Sequence, residues 1–171
     1  MPPRLDQPIE KRTFAVLVDN EPGVLARVIG LFSGRGYNIE SLTVAETDAA
    51  QNLSRITIVT SGTPMIIEQI KNQLNRIVPV YTVHDLTAEG PFVERELALV
   101  KVSGGKQERA RALKTAEEFE ARVASKGDSS LVFELTGTTR TLDKFIAAMA
   151  ALGQVEICRT GVAAITGAGN I

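Results

Sequence analysis

The sequence predicts an α+β fold built from two tandem βαββαβ units. Three observations carry this. The hydrophobic period switches between strand and helix values in a fixed order, and the pattern restarts after about residue 91. The 171 residues, 44% hydrophobic and 23% charged, are also enough for two small cores.

Arg12–Val18 (RTFAVLV) is a short β-rich apolar run that stops at Asp19, Asn20, Pro22 and Gly23, and it reads as a buried strand. From Val24 the period changes. Val24, Leu25, Val28, Leu31 and Phe32 form a helical stripe with Arg27, Gly30 and Ser33 opposite, and Gly34 and Gly36 supply the stop. Glu40–Glu46 and Leu53–Thr60 then read as a hairpin, with Arg55, Thr57 and Val59 alternating against Ile56 and Ile58. Thr63 is an N-cap candidate with Pro64 in the first turn, and Ile66, Ile67, Ile70, Leu74 and Ile77 make the second stripe. Val78–His84 closes the unit as a strand. This order is the split βαβ arrangement of ferredoxin-like domains.

Thr87–Pro91 (TAEGP) reads as a linker. Beyond it, Arg95–Val100 echoes Arg12–Leu17, and Leu131–Thr139 (LVFELTGTT) echoes Ile56–Pro64 (ITIVTSGTP). Glu108–Phe119 is helical in composition. Leu142, Phe145, Ile146 and Met149 follow the i, i+3, i+4, i+7 spacing of a last helix, and Val155–Ile165 supplies a final strand. The expected domains are 12–86 and 92–166.

Nineteen basic against 20 acidic residues give a net charge of −1, which lacks the electrostatic footprint of a nucleic-acid binder. With one cysteine (Cys158) and one histidine (His84), neither an internal disulfide nor a Cys/His zinc cage is available, so no cofactor or metal is expected in this chain. Met1–Lys11 has no apolar h-region and no run approaches the ~20 apolar residues of a membrane span, which leaves a cytoplasmic address by default. His84 reads as a surface or strand-end residue, Cys158 as a small buried hydrophobe, and Glu94-Arg95-Glu96 as a solvated strand entry. Gly104-Gly105-Lys106 lacks the rest of a phosphate loop. No catalytic residues are expected.

The segment with chemical content is Asp19–Leu25 (DNEPGVL), where the first strand hands over to the first helix. A helix start presents unpaired N–H groups and a positive dipole, and Gly23 lets a small carboxylate approach without a Cβ in the way. The same residues also make a tight turn without any ligand, and the loop alone leaves both readings open. Asn38 lies at the next turn, where its amide is able to donate to a carboxylate or accept from an ammonium, and Val24, Leu25 and Ile39 are candidate walls of an apolar slot.

Taken together, DNEPGVLARVIGLFSGRGYNIESLTV (Asp19–Val44) and LSRITI (Leu53–Ile58) resemble the acetolactate (acetohydroxyacid) synthase small-subunit family, whose first half is an ACT domain. VERELALVKV (Val93–Val102) and RTGVAAI (Arg159–Ile165) resemble that family's second domain. One departure is Phe119–Asp128 (FEARVASKGD), where the family has an arginine–glycine turn followed by an isoleucine-rich strand. The resemblance implies a regulatory subunit that stimulates a catalytic large subunit and confers feedback inhibition by valine, with leucine or isoleucine weaker. It implies a homodimer through side-by-side ACT domains, with Asn20, Gly23, Val24 and Leu25 from one protomer and Asn38 and Ile39 from the other. Thiamine diphosphate, FAD and magnesium are implied for the large subunit. The competing expectations are a stand-alone ACT regulator of another enzyme, a small acylphosphatase-like enzyme, and an RRM-like RNA binder; the last is disfavoured by few aromatics and the lack of positive charge.

Overall fold

The structure, a computed structural model, describes residues 8–169. Part of the N-terminal reading over Met1–Lys11 therefore lies outside the described residues. In chain order the elements are β1 (Glu10–Asp19), α1 (Val24–Arg35), β2 (Ser41–Asp48), β3 (Leu53–Gly62), α2 (Pro64–Leu74), β4 (Val80–Asp85), α3 (Leu86–Glu89), β5 (Phe92–Ser103), α4 (Lys106–Glu118), β6 (Arg122–Lys126), β7 (Ser130–Gly137), α5 (Thr139–Ala150), β8 (Gln154–Arg159) and β9 (Ala163–Thr166). The chain divides into two compact units. One runs up to Val93 and takes in Val162 onward; the other is Glu94–Gly161.

The first unit carries an antiparallel sheet in the order β2-β3-β1-β4. Period-two alternation sends Phe14, Val16 and Val18 of β1 and Ile56 and Ile58 of β3 to one face, where they meet Val24, Val28 and Phe32 of α1 and Ile67, Ile70 and Leu74 of α2. Each such side chain contributes roughly 1.5–3 kcal/mol on burial, so this face is the main source of the unit's stability. Leu25 alone of the predicted α1 stripe faces out. The opposite face is also covered. Ala15 and Val59 pack there with Leu86, Val162 and Ala164, and Phe92 lies against them. The Thr43 hydroxyl donates to the Val162 carbonyl (2.8 Å), the Val162 N–H donates to Ser41 Oγ (2.7 Å), and Arg55 Nη2 donates to the Ala164 carbonyl (2.8 Å).

Helix boundaries follow local chemistry. Thr63 Oγ1 accepts from the Ile66 N–H with Pro64 at the first helical position, as the sequence predicts. At the other end of α1, Gly36 adopts a left-handed conformation (φ 68°) and the Tyr37 N–H reaches back to the Phe32 carbonyl (2.9 Å), a Schellman stop. The expected linker Thr87–Pro91 is partly helical instead. Asp85 caps α3 by accepting from the Ala88 N–H (3.1 Å), and Thr87 Oγ1 accepts from the Thr13 N–H (3.0 Å).

The second unit repeats the topology, with sheet order β6-β7-β5-β8. Ala98, Val100 and Val102 of β5 and Leu131, Phe133 and Leu135 of β7 pack on Ala112 and Ala116 of α4 and on Leu142, Phe145 and Met149 of α5. Three details differ from expectation. The single last strand predicted over Val155–Ile165 is two strands, because Gly161 turns the chain at φ 85°, and β9 lies with the first unit. Cys158 is exposed, since it sits on the edge strand β8 opposite Leu99, on the face turned away from the helices. Glu96 is buried rather than solvated, because Arg159 grips its carboxylate through Nε (2.8 Å) and Nη2 (2.7 Å) while Thr139 donates a third bond (3.1 Å). The divergent stretch Phe119–Asp128 forms a turn at Glu120 (φ 58°) followed by β6, a fully exposed edge strand.

Phe145 is wholly buried and stacks at a tilt on Phe119, with ring centroids 5.4 Å apart. Phe145→Ala is expected to lower the unfolding free energy by about 3–5 kcal/mol. Urea denaturation measures this, and a loss under 1 kcal/mol would mean the second core is not packed around this ring.

Candidate ligand-binding site

Two sets of candidate residues sit on the first unit. The first set follows β1. The Asn20 N–H donates to the Asn52 carbonyl (2.7 Å), which ties it to the start of β3, and Asn20 Nδ2 donates to Glu46 Oε1 (3.2 Å), near the end of β2. Gly23 then takes φ 88°, the left-handed region where a side chain is strained, although an added Cβ would meet no atom within 4 Å. This conformation starts α1 abruptly. No side chain caps the helix, and among the described residues none accepts from the N–H groups of Leu25 and Ala26. Open N–H groups at the positive end of a helix, approached over a bare glycine, suit a small carboxylate.

The side chains of this set divide in their roles. Val24 is 2% exposed and belongs to the core, so only its backbone faces the helix start. Leu25 is 37% exposed and offers an apolar surface beside the open N–H groups. Arg27 Nη1 donates to the Val78 carbonyl (2.8 Å), and the Tyr81 hydroxyl donates to Asp19 Oδ1 (2.7 Å), which holds Tyr81 above its ordinary pKa. Both bonds fasten the loops around this helix start.

The second set lies beyond the Gly36 stop. The Asn38 carbonyl accepts from Thr60 Oγ1 (2.5 Å) and the Glu40 N–H donates to the Val59 carbonyl (2.8 Å), so Asn38 and Ile39 stand beside the end of β3. Asn38 is exposed and Ile39 half-buried against the core. Lys11 Nζ (2.8 Å) and then the Ser61 hydroxyl bond Glu40, and together they hold its carboxyl below the ordinary range.

Within one chain the two sets are far apart. From residue 52, beside Asn20 and just before β3, the chain runs along β3 to residue 60 beside Asn38, about 26 Å at ~3.3 Å per residue. The structure thus brings Asn20, Gly23, Val24 and Leu25 together and keeps Asn38 and Ile39 at the opposite end. Sequence reasoning missed Glu46, Tyr81 and Lys11, whose relevance depends on strand register. Among the described residues no cluster of three or more His, Cys, Asp or Glu side chains is suited to a metal, and no helix is long and apolar enough to cross a membrane. His84 is exposed, with Nδ1 2.9 Å from Glu89 Oε2.

Comparison with known proteins bears on what this geometry serves. A family described as AHAS small subunit-like ACT domain matches residues 14–82, and one described as small subunit of acetolactate synthase matches residues 95–168. The chain is 42% identical over 155 residues to a probable acetolactate synthase small subunit of Archaeoglobus fulgidus, covering 91% of this chain and 96% of that one. The chain belongs to the acetolactate synthase small-subunit family. It is 43% identical over 157 residues to the isozyme 3 small subunit of Escherichia coli, with 91% and 95% covered. The solved small subunit from Thermotoga maritima matches with a TM-score of 0.81 and 34% identity, over 92% of this chain and 98% of that one. The family's role is regulatory, within branched-chain amino acid biosynthesis.

The lowered Glu40 carboxyl gives a pH signature. A carboxyl depressed on folding contributes stability that is present above its unfolded value and lost as pH falls through its folded value, so this contribution disappears on the acid side. Lys11→Ala is expected to move the Glu40 titration midpoint, followed by carboxyl NMR shifts, up toward the ordinary carboxylate range. An unmoved midpoint would assign the depression to Ser61 alone.

Proposed function

We propose that this small subunit stimulates the catalytic large subunit of acetolactate synthase, in the cytoplasm, and that valine reverses the stimulation by binding between two copies of the first unit. In this reading residues 12–86 hold the sensing domain and 92–166 the family's second domain, whose compact part is Glu94–Gly161 while β9 returns to the first unit. Thiamine diphosphate, FAD and magnesium chemistry belongs to the large subunit in this reading.

The observation that carries it is the place of β2. Among the described residues it is an edge strand paired with β3 alone, and it joins the two residue sets: Asn38 and Ile39 precede its start, while Glu46 near its end holds Asn20. If β2 pairs antiparallel with β2 of a second copy about a two-fold axis, the start of one strand runs past the end of the other. That brings the partner's Asn38 and the partner's Ile39 to the open helix start of this chain, and it does so twice per dimer. The ligand carboxylate then lies on the N–H groups beyond Gly23, the ammonium reaches the amide of Asn20 or of Asn38 from the partner, and the branched side chain rests between Leu25 and Ile39 of the partner. Leucine and isoleucine carry the same head group on a larger side chain, and they bind more weakly in a slot sized for valine.

Gly23→Asp places a carboxylate where the ligand's belongs, and aspartate tolerates the left-handed backbone better than most residues. Titrated into purified large subunit, this variant is expected to stimulate as the wild type does while valine no longer inhibits. Full valine sensitivity would remove the pocket from this position. Asn38→Ala is expected to raise the valine Kd in calorimetry by about tenfold, the loss of one hydrogen bond to a charged group. An unchanged Kd would exclude Asn38 from the site.

A further inference from the structure

Resting on the valine-site reading above, we infer that Glu46 is a positioning residue that makes the site select zwitterionic amino acids over the corresponding 2-oxo acids. Both ligand classes share a carboxylate and a branched skeleton. They differ at the α-carbon, which bears an ammonium in one and a carbonyl oxygen in the other, so the net charge is zero or −1. A helix start alone attracts both and prefers the anion. Discrimination requires a negative group set beside it.

Several carboxylates stand near the two residue sets, and their partners separate them. Asp19 receives the Tyr81 hydroxyl, Asp48 receives the Gln51 N–H (3.0 Å), and Glu40 is paired with Lys11. Glu46 is exposed, and among the described residues no cation pairs with it; its partner is the Asn20 side chain. With Asn20 Nδ2 drawn toward Glu46, the Asn20 carbonyl oxygen is turned the other way, as an acceptor for an ammonium and a poor neighbour for a ketone oxygen. The uncompensated charge of Glu46 acts in the same direction. It attracts the ammonium and repels a monoanion, and one residue thereby adds both an attractive and a repulsive element. Glu21 lies in the turn beside Asn20; its backbone carbonyl accepts from the Val24 N–H (3.4 Å), but its carboxylate bonds no candidate ligand contact among the described residues, which makes Glu21→Gln the control for acidity alone.

The test is calorimetric titration of the full chain with valine and with 3-methyl-2-oxobutanoate, its 2-oxo analogue. Glu46→Gln keeps the shape and the acceptor for Asn20 but removes the charge. It is expected to lower the ratio of the oxo-acid Kd to the valine Kd by about three- to fivefold, the upper scale of one exposed charge interaction. Glu46→Ala also frees the Asn20 amide and is expected to weaken valine further, and Glu21→Gln is expected to change the ratio less than twofold. In a chain that binds valine and loses it on Gly23→Asp, an unchanged ratio in Glu46→Gln would overturn the role of Glu46 and leave the site standing. An equal fall in Glu21→Gln would overturn it in favour of diffuse acidity. A wild-type chain that binds no valine would overturn both.

Discussion

The length of one helix constrains any ligand site built on the first unit. α1 occupies twelve residues between the left-handed glycines Gly23 and Gly36, about 18 Å of helix at ~1.5 Å per residue. Its open N-terminus and the turn carrying Asn38 are fixed at opposite ends, because Val24, Val28 and Phe32 nail the helix to the sheet along its whole length. A branched-chain amino acid is far shorter than that. A site that uses both ends must therefore draw them from different copies of the chain, and the fold of a single unit already contains that requirement.

How two copies meet is narrowed by what is already covered. Helices occupy one face of the first sheet, and on the other Ala15 and Val59 are packed beneath Val162 and Ala164. Ser41, Thr43 and Arg55 hold that last segment by its backbone, and burial there lowers the Arg55 pKa. With both faces in use, the open hydrogen-bonding surface of the sheet is at its edges, β2 and β4. Unpaired edges favour association in the hydrogen-bonding direction, with a strand of another chain laid alongside. β2 is the edge that joins the two halves of the proposed site, so side-by-side association is the arrangement in which pairing and ligand binding use the same strand.

Much of this was legible in the sequence, and the reasons differ by element. The strands and helices of the first unit follow from apolar runs bounded by Asn20, Pro22 and Gly23, from the Gly36 stop and from the Thr63–Pro64 helix start, all local signals. The split of Val155–Ile165 into β8 and β9 was not legible, because a glycine within an apolar run does not say where the chain goes next. The burial of Glu96 depends on Arg159, 63 residues away in sequence, and a charge run read locally points to solvent. The helix start at Gly23 was visible as a motif, whereas the tie from Asn20 to Glu46 depends on the β1–β3–β2 register. Local chemistry marks the open helix start, and long-range pairing decides which side chains stand around it.

The proposed division of the site across two copies would also let its ligand act as a signal. A ligand shifts an equilibrium only by its differential affinity for the two arrangements, and allosteric effects of this type represent ~1–3 kcal/mol. In a pocket contained within one rigid unit, valine would bind about equally well whatever its neighbour did, and the differential would be near zero. In the proposed dimer, Gly23 and Leu25 supply half of the contacts and the partner's Asn38 and the partner's Ile39 the rest. A small slide of β2 past its twin that removes a single hydrogen bond to a charged group would cost ~1.5–3 kcal/mol. That is the required magnitude, and it comes from the placement of the contacts on either side of a movable boundary, with no flexibility needed inside either unit.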